Sequence, residues 1–238
     1  MDRIGPWPVA VTVRIPKTTG GRSSGAVRRF ALGFDGVELL EWRGHLVTSP
    51  AQTALDLAAS SDFTSGVIAV DQALWARRVG GPLARMEELH GLIDGNWRRG
   101  FARVPGAVEF GTHLSDSVRE SEGRVLLDRL GFPAPVLQKV FRLPGGGTAR
   151  PDYYFEQFDH AAEFDGTGKY FEPNILEGRT PRQALLEEKD RADALRRQVS
   201  ALSRWRTPAH RDPALLYDIL TGDGLPSTLP RPRAPHRS

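Results

Sequence analysis

The 238-residue sequence reads as an α/β protein of the α+β kind, built as two successive modules. Three features carry that reading. Short β-type runs crowd the first fifty residues and are followed by helix-type segments. A polar stretch from Gly111 to Asp116 separates the halves. Beyond it the pattern changes to helix, hairpin, strand, long charged helix and strand, which describes a mixed sheet flanked by helices.

In the first module Val9 to Val13 alternates Val-Ala-Val-Thr-Val and predicts a strand. Val27–Leu32 and Gly36–Leu40 predict two more, with Gly-Phe-Asp-Gly between them, and His45–Thr48 a fourth. Ser49 followed by Pro50 has the chemistry of a helix start: the hydroxyl caps an orphan amide, and proline lacks one that would be orphaned anyway. A helix through Thr53–Ala59 is expected, then one over Phe63–Arg78 from the spacing of Val67, Val70, Ala73 and Leu74, and one from Pro82 to about Leu92. The stretch through Trp97 and Phe101 reads as helical too.

The second module opens with a helix whose apolar stripe is Leu126, Leu127 and Leu130, ended by Gly131. Val136–Leu143 and Ala149–Phe155 predict a hairpin around Pro144-Gly-Gly-Gly147, and His160–Phe164 the next strand. Pro181 to about Ser200 predicts a long charged helix, Ser203–Arg206 a short strand and Pro213–Leu220 a closing helix. From Gly222 the Pro/Arg-rich tail is expected to be disordered.

Composition excludes several chemistries. With no cysteine there is no disulfide, thiolate metal site or cysteine nucleophile. The six histidines stand at 45, 90, 113, 160, 210 and 236, with no HExxH, which argues against a His-rich zinc site. A bound metal would need carboxylate oxygens, favouring Mg²⁺, Mn²⁺ or Ca²⁺. No apolar run approaches membrane-spanning length, and Met1–Pro6 lacks the features of a signal peptide, so a cytoplasmic protein without a membrane partner is expected. A net charge of +3 with a pI near 9.5 permits nucleic-acid binding.

One set of residues has the pattern of a hydrolytic site. Glu163 and Asp165, two apart at the end of a predicted strand, leave the same face. Asp152, on the hairpin strand after Pro151, is expected beside Glu163. Carboxylates converging there repel unless a cation lies between them. Glu120 shares the inward stripe of its helix, and Glu122 competes with it for that place. On the long helix, Glu188 and Lys189 fall between Leu185 and Ala192 on the side expected to face inward, and Arg191 follows. Lys169 lies four residues past Asp165, where a lysine can orient water or stabilise phosphorane charge. The glycine run at 145–147 lacks the Lys-Ser/Thr of a phosphate loop.

These residues carry a resemblance. Glu120-Ser121-x-x-Arg124, Gly131-Phe132-Pro133-x-Pro135-x-x-Gln138, Arg150-Pro151-Asp152, Glu163-Phe164-Asp165-Gly166 and Glu188-Lys189-x-Arg191 together resemble the Vsr-related endonuclease-like domain of the PD-(D/E)xK superfamily. The resemblance covers about ninety residues and implies a restriction-endonuclease-like domain over 113–221. It also implies Asp152 and Glu163 as ligands of Mg²⁺ or Mn²⁺, Glu120 as the helix acid, and Lys169 where relatives carry His or Lys. Asp165 departs from the family, which has lysine there. Val47 to Ala58 resembles the central segment of AbiEi-type antitoxin-like proteins of type IV toxin–antitoxin systems, which gives an AbiEi-antitoxin-like α+β module over 1–112 and the tail over 222–238. Such proteins usually begin with a DNA-binding helix-turn-helix. None is recognisable here, and the chain reads as shortened at its start.

Two functions follow as expectations. One is a metal-dependent nuclease hydrolysing phosphodiesters of nucleic acid, DNA above RNA, with Glu120, Asp152, Glu163, Asp165 and Lys169 in the site and Glu188, Lys189 and Arg191 supporting it. The alternative is a non-catalytic antitoxin-type regulatory module that retains the nuclease fold and contacts DNA or a cognate toxin protein.

Overall fold

The structure is a computed structural model that describes residues 9–18, 23–31, 33–94, 101–144, 146–165 and 180–233. It is an α+β protein that divides into two compact units, Met1–Val118 and Arg119–Ser238. Among the described residues no helix is long and apolar enough to cross a membrane.

In the first unit β1 (Val11–Arg14) pairs in parallel with β2 (Val27–Phe30), and β3 (Leu39–Trp42) pairs antiparallel with β4 (His45–Thr48). Arg43 and Gly44 both take positive φ in the two-residue turn between β3 and β4, the backbone twist that tight hairpins require. Helix α1 (Pro50–Ser60) starts as its sequence predicts, with the Ser49 hydroxyl accepting from the Gln52 amide. Asp62 caps α2 (Phe63–Leu74) in the same way. Helices α3 (Met86–Asp94) and α4 (Val104–Phe110) complete the unit, the latter entered through a 3₁₀ turn at Phe101–Arg103. Leu55, Val67, Val70, Leu89, Val104 and Val108 are fully buried among these helices. Gly66 lets α2 approach α1 closely: a Cβ there would lie 3.1 Å from the Ala58 Cα.

Two helix limits differ from expectation. The second helix stops at Leu74, because Trp75 leaves helical geometry at ψ 106°, and the third begins at Met86 instead of Pro82. Residues 95–100, including Trp97, lie outside the described residues.

Helix α5 (Val118–Arg129), all but its first residue in the second unit, is followed by Gly131 at φ 75°. The expected strand over Val136–Leu143 is mostly absent. Gln138 has φ 59° and breaks it, leaving a single bridge from Val136 to Tyr154 and the short β5 (Phe141–Arg142) paired with β6 (Thr148–Ala149). The partner strand is likewise divided at Pro151, which has no amide to donate. Beyond it, β7 (Tyr153–Phe155) pairs antiparallel with β8 (His160–Phe164), and β8 pairs in parallel with β9 (Ala201–Trp205). A parallel neighbour requires a crossover. It includes α6 (Pro181–Arg196), which opens with a capping box between Thr180 and Gln183. The short α7 (Thr207–Arg211), which the sequence reading lacked, precedes α8 (Pro213–Gly222).

The tail corrects a second expectation. Residues 222–233 are ordered against the unit: Leu225 is buried, and the Thr228 amide donates to the Gly131 carbonyl at 2.9 Å. One buried leucine and these backbone bonds outweigh a composition that by itself suggests disorder; residues 234–238 lie outside the described part. Gly131 is the pivot, since a Cβ there would come within 2.9 Å of the Leu229 amide nitrogen. Gly131→Ala is expected to cost about 1–3 kcal/mol through its positive φ alone, with further loss from displacing the tail. Urea denaturation of this variant and of a chain ending at Gly222 checks both; a truncated chain as stable as the full one would contradict the packing of the tail.

Candidate functional site

The register of the parallel pair places Glu163 of β8 directly beside Arg204 of β9. Helix α6 presents Glu188 and Arg191 to the same place, three residues apart and so on one helix face. The four side chains close a ring of alternating charge. Arg191 Nη2 reaches Glu163 Oε1 at 3.0 Å, while Arg204 Nη2 donates to Glu163 Oε2. Arg191 also holds Glu188 with two bonds of 2.7 Å, and Arg204 touches it at 3.2 Å. Burial alone would raise the Glu188 carboxyl, but the hydrogen bonds and charges of Arg191 and Arg204 overcome it and hold that acid below its usual range. The Arg191 guanidinium is raised in turn, chiefly by its bonds to Glu188.

Asp165, one step beyond β8, accepts two bonds from Arg206 at 3.1 and 3.0 Å. The two strands therefore match E-x-D against R-x-R. Asp152 does reach the end of β8, as its sequence position predicts, where its Oδ2 accepts the Phe164 amide at 2.7 Å. Glu120 is buried, whereas Glu122 is half-buried and pairs with Arg119 at 2.6 Å, so the structure decides between them in favour of Glu120 for the inward side. Beside Glu120, the Tyr153 hydroxyl donates to the Glu120 carbonyl at 2.9 Å. Burial first, and the charges of Asp152 and Glu120 next, push that phenol well above its ordinary value. Gly123 makes room for it, because a side chain there would strike the Tyr153 hydroxyl.

These contacts bear on the metal expectation. Both oxygens of Glu163 are taken by guanidinium groups, and one oxygen of Asp152 by a backbone amide. Among the described residues no three acidic or histidine side chains gather where one cation would touch them all. A Mg²⁺ or Mn²⁺ ion at Glu163 would face two arginines at hydrogen-bonding range of the same carboxylate, which is repulsive. The described residues thus do not fit the ion that was expected on Asp152 and Glu163. Lys169, expected to position water, lies outside the described residues. Lys189, expected to face inward, is exposed; Glu188, Arg191, Ala192 and Leu195 form the inner side of α6 instead.

Arg204 and Arg206 were missed by the sequence reading. The signal available was charge complementarity between Glu163-x-Asp165 and Arg204-x-Arg206, but it becomes visible only once the two strands are known to be neighbours. A further buried chain was also missed. His160 Nε2 lies 2.8 Å from Ser203 Oγ, which donates to Asp223 at 2.6 Å. Serine in the middle, its hydroxyl donating to aspartate, ties the sheet to the end of α8 and is not the order a serine nucleophile needs.

Comparison with known proteins is sparse. No family model matches the chain, and no solved structure does. The sequence is similar to two uncharacterized proteins of Mycobacterium tuberculosis, MT2308 of strain CDC 1551 / Oshkosh and Rv2248 of strain ATCC 25618 / H37Rv. Each is 28% identical over 153 residues, which cover 64% of this chain and 55% of the relative. The chain thus spans about half the length of the curated relatives it matches.

Two outcomes follow from the site. Arg191→Ala leaves buried Glu163 and half-buried Glu188 each with one guanidinium fewer and is expected to lose about 1–3 kcal/mol, below the fully buried limit because Arg204 remains and Glu188 is partly hydrated. Arg191→Lys should recover only part, since lysine lacks the two-pronged fork. Chemical denaturation of both variants checks this.

The second outcome concerns His210, which is 8% exposed and, among the described residues, has no hydrogen-bond partner at either ring nitrogen. Burial lowers its pKa from 6.5 to about 4. The folded state therefore holds it neutral where the unfolded chain would protonate. Its contribution is complete above about pH 6.5 and is lost progressively as pH falls toward 4, amounting to at most about 3 kcal/mol. Stability measured across that window should fall with acid, and His210→Leu should flatten the slope.

Proposed function

We propose that this chain is a non-catalytic regulatory module of the antitoxin type, which keeps a nuclease-like core as a scaffold for contacting a partner. One observation carries the reading: Arg191 and Arg204 occupy both oxygens of Glu163, the acid a nuclease would offer to its metal. The order of elements supports the scaffold half of the proposal. Helix α5, the antiparallel β7–β8 pair, the crossover helix α6 and parallel β9 follow one another as the endonuclease-like domain would arrange them. The resemblance of Val47–Ala58 to antitoxin-like proteins supports the regulatory half, with a cognate toxin protein or DNA as the partner.

The metal-dependent nuclease is the second reading. Favouring it is the convergence of Asp152 and Glu163 at one sheet end, seen in the Asp152 bond to the Phe164 amide. Catalysis on that reading would require the arginines to withdraw.

Isothermal titration with Mn²⁺ separates the two. The wild-type protein is expected to show no saturable binding. Saturable binding that disappears in Asp152→Ala/Glu163→Ala would overturn the non-catalytic reading and restore the nuclease. Co-expression with an adjacent nucleotidyltransferase toxin tests the regulatory role directly, and relief of its toxicity is the expected result.

A further inference from the structure

At the carboxyl ends of β8 and β9 two hollows adjoin, of about 280 and about 500 Å³, with Asp165, Arg204 and Arg206 as their shared wall. The ends of parallel strands are where open α/β sheets place ligands. The smaller hollow is charged. Lys189 and Arg196 on α6 face it together with the two strand arginines, against the acids Asp165, Glu188 and Asp193. The larger is apolar, walled by Trp205, Pro208, Leu215 and Ile219.

We propose that this double hollow docks an acidic, apolar peptide segment of a partner protein, seating one carboxylate in the charged half and a neighbouring bulky apolar side chain in the other. The inference rests on the reading of the chain as a binding module and names the chemistry of its partner. Charge complementarity sets the class. Four cations against three acids leave a single positive charge, which matches one carboxylate, whereas a phosphate backbone would meet the three acids as well. The cations are available. Among the described residues Lys189 and Arg196 make no ion pair, and the Arg206–Asp165 pair lies at the surface with Arg206 65% exposed, so exchange for an incoming carboxylate costs little. The apolar half has an accessible anchor in Leu215, which is 39% exposed. Burying an apolar anchor beside a charge-assisted contact is how such segments gain both affinity and orientation.

The test is selection of displayed random heptapeptides on the immobilised full-length protein, followed by anisotropy titration of the synthetic winners. Expected are sequences that pair Asp or Glu with Leu, Phe or Trp. Their affinity should fall at least tenfold on Arg206→Glu and again on Leu215→Asp, both surface changes that leave the fold intact by circular dichroism. Absence of enrichment, winners without an acid, or winners indifferent to both substitutions would each overturn the proposal. Binding of a single-stranded 12-mer DNA that these substitutions abolish would overturn it in favour of nucleic acid. Displacement of the winners by a peptide of this chain's own residues 168–177 would overturn it in favour of an internal occupant. Saturable Mn²⁺ binding by the wild type that is lost in Asp152→Ala/Glu163→Ala would sink the binding-module reading by a separate measurement, so the two failures are distinguishable.

Discussion

The ring formed by Glu163, Arg204, Glu188 and Arg191 is the constraint on which the second unit depends. Two neighbouring strands and the crossover helix meet there, and each contributes charge that would be costly alone in a half-buried place. Glu163 is 7% exposed, and each of its carboxylate oxygens accepts from a guanidinium. Alternating the charges around four members lets every carboxylate face two donors, so the desolvation cost is offset by bonds that also fix direction. Such a ring adds little to stability compared with an apolar contact of the same size, but it is intolerant of slippage. A one-residue shift of β9 against β8 would turn Arg204 away from Glu163 and present Trp205 to it. The registry of the parallel pair, and through it the position of α6, is thereby specified.

That specification has a chemical consequence. A cluster of acids at one sheet end invites a divalent cation when the surrounding groups are neutral. Here the neighbours are arginines, and their positive charge already occupies the role a metal would take. The same strand ends carry Asp165 and Arg206 outward, so the charge pattern continues from the buried ring to the surface and becomes the wall of the hollows beside it. The buried pairing and the exposed Arg206–Asp165 pair are built from one alternating charge pattern at the ends of two strands. The apolar cluster behind the ring, with Tyr153 stacked on Trp205 at 5.5 Å, supplies the rigid backing.

Much of the local structure could be read from the chain. Ser49-Pro50 marks a helix start because a cap needs only a side-chain oxygen and an amide two or three residues away. The β8 strand with Glu163 and Asp165 at its end was legible from the sequence, and Gly131 from its place after the last apolar residue of α5. What misled was local as well: Gln138 adopts a left-handed backbone inside a run with strand-like composition, and proline and arginine in the tail disguise the buried Leu225. Of the residues expected in a site, Asp152 and Glu163 do share one sheet end and Glu120 is buried, but Lys189 faces solvent, because helix phase is set by what packs and not by the average stripe.

The sequence by itself determined the α+β class, the identity of most elements and the gathering of acids at the end of one strand, since all three arise from interactions within a few residues. Only the tertiary structure decided what those acids face. Arg204 is forty-one residues from Glu163, and nothing in local periodicity says that β9 lies parallel to β8 with these two in register. Pairing across a crossover is fixed by the packing of the whole unit, and it is this pairing that gives the carboxylates guanidinium partners.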